Sequence, residues 1–214
     1  TYALTTGMQM VASGAHDHAL VVGADVMSSI IDYTDRATCI LFGDGAGAVV
    51  LSPAEPDEPH IMDFTHEIDG TGGAALCMPA GGSRRPASHQ TVDERMHYVK
   101  QDGQTVFKFA VRVMNTATLE AIEKAGLTPE DIRLFVPHQA NLRIIDAARE
   151  RLGLPWERVA VNVDRYGNTS TASIPLALKE AVDAGRIREG DHVLLVSFGA
   201  GLTWAAAVLT WGGA

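Results

Sequence analysis

The run Ala19-Leu20-Val21-Val22-Gly23-Ala24 is apolar without interruption, and it has the length of a strand rather than a helix. A strand of this kind has no side suited to water. It therefore predicts burial on both faces, as in a parallel sheet covered by helices. Val193-Leu194-Leu195-Val196 repeats the pattern near the other end, and Trp204–Thr210 follows as a last strand. Between them Val106, Phe109, Ala110, Val113, Met114, Ala117, Ala121 and Ile122 recur at helical spacing to about Lys124, with Gly126 as the stop. Apolar strands interleaved with amphipathic helices are the pattern of an α/β protein.

Shorter signals fill in the order. Apolar positions 4, 8, 11 and 12 predict a first helix ended near Gly14, with no capping residue before it. A helix without a start signal reads as the C-terminal part of something longer. Thr38–Phe42, Ala48–Leu51, Leu134–Val136 and Val159–Val161 read as strands, with Gly43–Gly47 as a turn. Thr128-Pro129-Glu130-Asp131 is a cap and a short helix at most, Asn141 caps a helix closed by Gly153, and another helix covers about Ser173–Ala184. Residues 53–59 hold three prolines and three acids and predict a solvated connector. Residues 70–90, rich in Gly, Ala, Ser and Pro, predict an irregular excursion. The chain thus divides into 1–52, 53–90 and 91–214. The stretch from Phe42 to Leu51 is echoed from Phe198 to Leu209, which suggests two similar α/β halves with only the end of the first present.

Composition narrows the classes of function. Lys and Arg number 17 against 26 Asp and Glu, a formal charge of −9, which argues against nucleic acid as the main partner. No apolar run approaches the roughly 20 residues of a membrane span. Two cysteines, Cys39 and Cys77, make no disulfide framework, so a cytoplasmic location is expected.

Three strand ends could carry chemistry. His138 follows a strand and precedes a helix cap, at the carboxyl end of the strand, where α/β sheets bind ligands. Asn168 lies between Gly167 and a run of small hydroxyl residues. Phe198-Gly199-Ala200-Gly201-Leu202-Thr203 could aim a backbone N–H at a developing oxyanion. Taken singly, each also fits a structural role: a satisfied histidine, an Asn turn with an N-cap, a tight hairpin. The Gly43–Gly47 run lacks the pattern of a nucleotide cradle. His16-Asp17-His18 looks like a metal pair but sits in a polar turn with no nearby Cys or Glu, Cys39 reads as a buried small hydrophobe, and Cys77 has no base beside it.

Together PHQAN-LRII, YGNTSTASIP, FGDGAGAVVL and FGAGLTWAAAVL are far more specific. The chain resembles the beta-ketoacyl-ACP synthase III family of the thiolase-like superfamily, essentially end to end. The resemblance implies a five-layer α-β-α-β-α fold, of which this chain holds the end of the first half and the whole second half. It implies decarboxylative condensation of an acyl-CoA primer with malonyl-ACP, without a cofactor or metal, on a Cys-His-Asn set. His138 matches the family histidine and Asn168 the asparagine. The nucleophilic cysteine is expected immediately before Thr1, at the start of the first helix, since Tyr2-Ala3-Leu4 matches the segment that follows it. The Ala200 N–H would complete the oxyanion hole, and Phe42 matches a primer-pocket position that Cys39, expected on the same strand, would help to shape. Arg36 and Lys108 match positions that contact carrier protein or CoA. Ala140, Asn141, Arg143, Arg149 and Arg151 are expected on the same docking edge. A homodimer, acyl carrier protein as partner, and neither nucleic acid nor membrane complete the expectation. A polyketide-type condensing enzyme with the same His-Asn pair, or a non-catalytic subunit of the same fold, are the alternatives.

Overall fold

The computed structural model describes residues 1–55 and 58–212. Of the connector expected over 53–59, residues 56 and 57 lie outside the described residues. In chain order the elements are α1 (Tyr2–Ala12), β1 (Ala19–Asp25), β2 (Gly45–Leu51), β3 (Ile61–Ile68), β4 (Leu76–Cys77), α2 (His89–Asp93), β5 (Lys100–Gln101) and α3 (Gly103–Lys124). They continue with β6 (Ile132–Pro137), α4 (Leu142–Leu152), α5 (Val163–Tyr166), α6 (Ser173–Asp183), β7 (His192–Gly199) and β8 (Thr203–Thr210).

The main sheet has the order β3-β8-β7-β6, with β6 and β7 parallel and the other pairs antiparallel. Its side chains alternate between two helical layers. Phe135, Leu194, Val196, Ala206 and Val208 pack on the buried stripe of α3 and on Ile144, Ile145 and Ala148 of α4. Leu134, Val136, Val193 and Leu195 face the other way, onto Ile174, Ala177, Leu178 and Ala181 of α6. Both faces are dry, which is why 134–137 of β6 and 193–196 of β7 are apolar at every position. Side-chain caps fix the helix starts: Asp102 accepts from the N–H groups of Gln104 and Thr105, and Asn141 from that of Arg143.

Several expectations fail for identifiable reasons. β1 pairs antiparallel with β2 rather than in a parallel sheet, and α1 packs on one of its faces. Thr38–Phe42 is not a strand. Asp35 captures it: its backbone carbonyl accepts from Thr38 and Cys39, and its carboxylate accepts from the Ala37 N–H and the Thr38 hydroxyl. Local Asp-to-backbone bonding overrides the strand propensity of the apolar residues. Cys39 accordingly lies in a turn, packed with Phe42, Met27, Ile31 and Val99. Val159–Val161 is reduced to one bridge between Val159 and Phe135. The excursion over 70–90 holds a 3-10 helix, Gly70–Ala75, and the short strand β4, and β3 is an element the pattern did not announce.

Candidate functional site

His138 stands just past the end of β6. Its backbone N–H donates to the Val196 carbonyl of β7 at 2.7 Å, which extends the parallel pairing by one residue and fixes the side chain at the sheet's carboxyl edge. Its ring meets Phe198 edge-on, with centroids 5.3 Å apart. Nδ1 lies 2.6 Å from the Ser173 hydroxyl, at the first residue of α6. Burial pushes the imidazole pKa down to about 4, so the ring is neutral at physiological pH.

Asn168 is placed by a different set of contacts. Its N–H donates to the Leu41 carbonyl at 2.8 Å and its carbonyl accepts from the Gly43 N–H at 2.9 Å, a parallel bridge centred on Phe42. Two glycines permit this approach. A Cβ on Gly43 would stand 2.1 Å from the Tyr166 carbonyl oxygen. Gly167 adopts φ 66°, ψ −158°, a conformation essentially closed to other residues. The side-chain Oδ1 of Asn168 accepts from the Ser170 N–H at 2.9 Å, which leaves its Nδ2 hydrogens for other acceptors.

The two segments are tied by residues that motif reading passed over. Gln139, fully buried, donates to the Pro137 and Ala160 carbonyls and accepts from the N–H groups of Asn162 and Val163. It joins the histidine turn to the start of α5. Glu180 of α6 then accepts from Asn162, Arg165 and the Tyr166 hydroxyl, holding α5 just before Asn168. Gln139 sits inside PHQAN. An apolar strand end followed by a lone buried amide is the only hint the sequence offers.

His138, Asn168 and Ser173 line one cavity of about 570 Å³. Thr1, Tyr2 and Leu4 of the first helical turn border it, so the amino end of α1 opens onto the same space as the histidine and asparagine. Ala200, on the turn between β7 and β8, borders it as well. Met27, Phe42, Leu76, Cys77, Met78 and Val99 give it an apolar end. Cys77, which has no base beside it in the sequence, lines this space, and its thiol donates to the Ala74 carbonyl at 3.7 Å.

The basic residues separate into two groups. Arg36 is exposed in the turn after Asp35, and Lys108 is exposed on α3. The Arg143 guanidinium lies over the ring of Phe107 on α3, 5.4 Å from its centroid. Arg149 is otherwise engaged: it pairs with Asp146 at 2.7 Å, donates to the Leu154 carbonyl and covers the Trp156 ring. These contacts hold it against the C-terminal end of α4. Arg151 is exposed, Ala140 packs partly against the core, and the Asn141 side chain caps α4.

Comparison with known proteins gives a consistent answer. Residues 1–70 match the family described as 3-oxoacyl-[acyl-carrier-protein (ACP)] synthase III, and residues 122–211 match the C-terminal part of that family. The chain is 52% identical over 211 residues to the beta-ketoacyl-[acyl-carrier-protein] synthase III of Koribacter versatilis, covering 98% of this chain and 63% of that protein. The crystal structure of the Thermus thermophilus synthase III is 65% identical and superposes with a TM-score of 0.89, over 100% of this chain and 65% of that one. The priming beta-ketosynthase of the R1128 polyketide pathway is 42% identical with a TM-score of 0.85, over 100% of this chain and 63% of its own. The chain thus spans a little under two thirds of the length of these relatives.

Proposed function

This chain belongs to the beta-ketoacyl-[acyl-carrier-protein] synthase III family and has its thiolase-like α/β fold, and on that premise we propose that it carries the decarboxylating part of a condensing active site. The observation that supports this is the cavity in which His138, Asn168 and the amino end of α1 meet.

A malonyl thioester binds with its carbonyl oxygen between the His138 Nε2–H and an Asn168 Nδ2–H. Departure of CO₂ leaves an enolate, and both donors are already aimed at the oxygen on which its charge develops. A neutral imidazole suits this step, because it donates from one nitrogen without supplying a proton that would quench the carbanion. The enolate carbon then attacks an acyl group held as a thioester on cysteine. The C–S bond breaks, the thiolate departs, and a 3-oxoacyl thioester remains on the carrier. That cysteine is assigned to the position just before Thr1, where the helix N-terminus favours thiolate and lowers its pKa. It takes the primer from acyl-CoA beforehand, releasing CoA thiolate. The Ala200 N–H, with that of the cysteine, stabilises the tetrahedral oxyanion. The primer chain extends toward Phe42 and its apolar neighbours.

Carrier-linked malonate reaches the site after docking on Lys108 and Arg143, with Arg36 and Arg151 as outer contacts. The reading includes a cytoplasmic homodimer. Among the described residues no helix is long and apolar enough to cross a membrane. The test is condensation of acetyl-CoA with radiolabelled malonyl-ACP by the intact protein. Label in a 3-oxoacyl-ACP, with matching CO₂ release, is expected; a folded protein that yields neither refutes the assignment. The match to the R1128 priming ketosynthase supports a second reading, priming of a polyketide, in which the same pair works on a different primer. Relative kcat/KM across acyl-CoA primers separates the two.

A further inference from the structure

We propose that Ser173 is a positioning residue that fixes the tautomer of His138, holding Nδ1 bare and the proton on Nε2. Ser173 is 1% exposed, and among the described residues its hydroxyl has one hydrogen-bond partner, Nδ1 of His138 at 2.6 Å. Were Nδ1 the donor, the hydroxyl hydrogen would have no acceptor among the described residues, a loss that buried polar groups rarely sustain. With the hydroxyl donating, both atoms are satisfied and the imidazole proton must sit on Nε2. No carboxylate or backbone carbonyl among the described residues reaches Nδ1 to impose the other form.

The fold supplies the serine for this purpose at little cost. Ser173 is the first residue of α6; its N–H closes the preceding turn on the Ser170 carbonyl, and its side chain points across to the end of β6. The run Asn168-Thr169-Ser170-Thr171-Ala172-Ser173 contains four hydroxyl residues, and their neighbours differ. Thr171 bonds Asp25, whereas Ser173 alone meets the histidine. The consequence for catalysis rests on the functional reading above: only the Nε2–H form gives the thioester carbonyl a donor from His138.

The experiment is ¹⁵N NMR of the intact protein labelled at histidine, with the His138 ring signals assigned by their loss in His138→Gln. In the wild type Nδ1 is expected at the unprotonated position and Nε2 at the protonated one. In Ser173→Ala the two tautomers should mix, and the rate of malonyl-thioester decarboxylation should fall about tenfold at unchanged KM, the size expected for one hydrogen bond. Ser173→Thr, which keeps the hydroxyl, should restore both readouts. A wild type protonated on Nδ1 overturns the proposal, as does a Ser173→Ala protein whose histidine keeps the pure Nε2–H form. Because the tautomer is read without substrate, it can hold even where condensation fails, and that outcome would count against the functional reading alone.

Discussion

Burying a neutral histidine has a consequence for stability that can be calculated. The His138 pKa falls from 6.5 to about 4, first because burial disfavours the imidazolium. In the unfolded chain the same ring protonates at its ordinary value, so as the pH drops the unfolded state takes up the proton first. The stabilising contribution is therefore complete above about pH 6.5 and is lost progressively as the pH falls toward 4. Two and a half pH units at about 1.36 kcal/mol each give about 3 kcal/mol. The assay is urea unfolding of the intact protein and of His138→Gln at neutral pH and near pH 4. Both proteins share every other acid-sensitive group, so the wild type should lose about 3 kcal/mol more than the variant over that range. A difference between them that stays constant with pH would mean that His138 is not a buried neutral ring, and the donor role assigned to it would fall.

Other consequences are open to simpler measurements. Gly43→Ala places a methyl 2.1 Å from the Tyr166 carbonyl oxygen and must push the Asn168 loop aside; a loss of about 1–3 kcal/mol in stability and a lower kcat are expected. Lys108→Glu with Arg143→Glu should raise KM for the carrier-linked malonyl substrate severalfold while leaving an unlinked malonyl thioester unaffected. Arg149→Glu should instead lower the melting temperature, since it breaks the Asp146 pair and the stacking on Trp156. Phe42→Ala should shift primer preference toward longer acyl chains, read as the ratio of kcat/KM values across an acyl-CoA series.

The second half of the fold is plain in the sequence because its physics is local. Strands buried on both faces must be apolar throughout, and the stripe of α3 must recur at helical spacing, so both are visible without any contact being known. The first part is less legible. β1 reads as a strand of a parallel sheet but pairs antiparallel with β2, and Asp35 turns the 38–42 segment into loops that its apolar residues do not foretell. His138 and Asn168 stand out as motif residues, yet that they share a cavity depends on the Phe42 bridge and on Gln139, long-range contacts with no periodic trace. Ser173 is hidden among similar hydroxyls for the same reason. Arg149 is a charge whose folded neighbours, the Leu154 carbonyl and the Trp156 ring, its helical spacing does not reveal.

The most direct test of the catalytic account is the decarboxylation of malonyl-ACP by the intact protein and by His138→Ala and Asn168→Ala, followed as CO₂ release without any primer. Each variant lacks one of the two donors to the enolate oxygen and should be slower by about 10²–10³-fold in kcat, with little change in KM. A variant that folds normally and releases CO₂ at the wild-type rate would show that its side chain does not hold that oxygen.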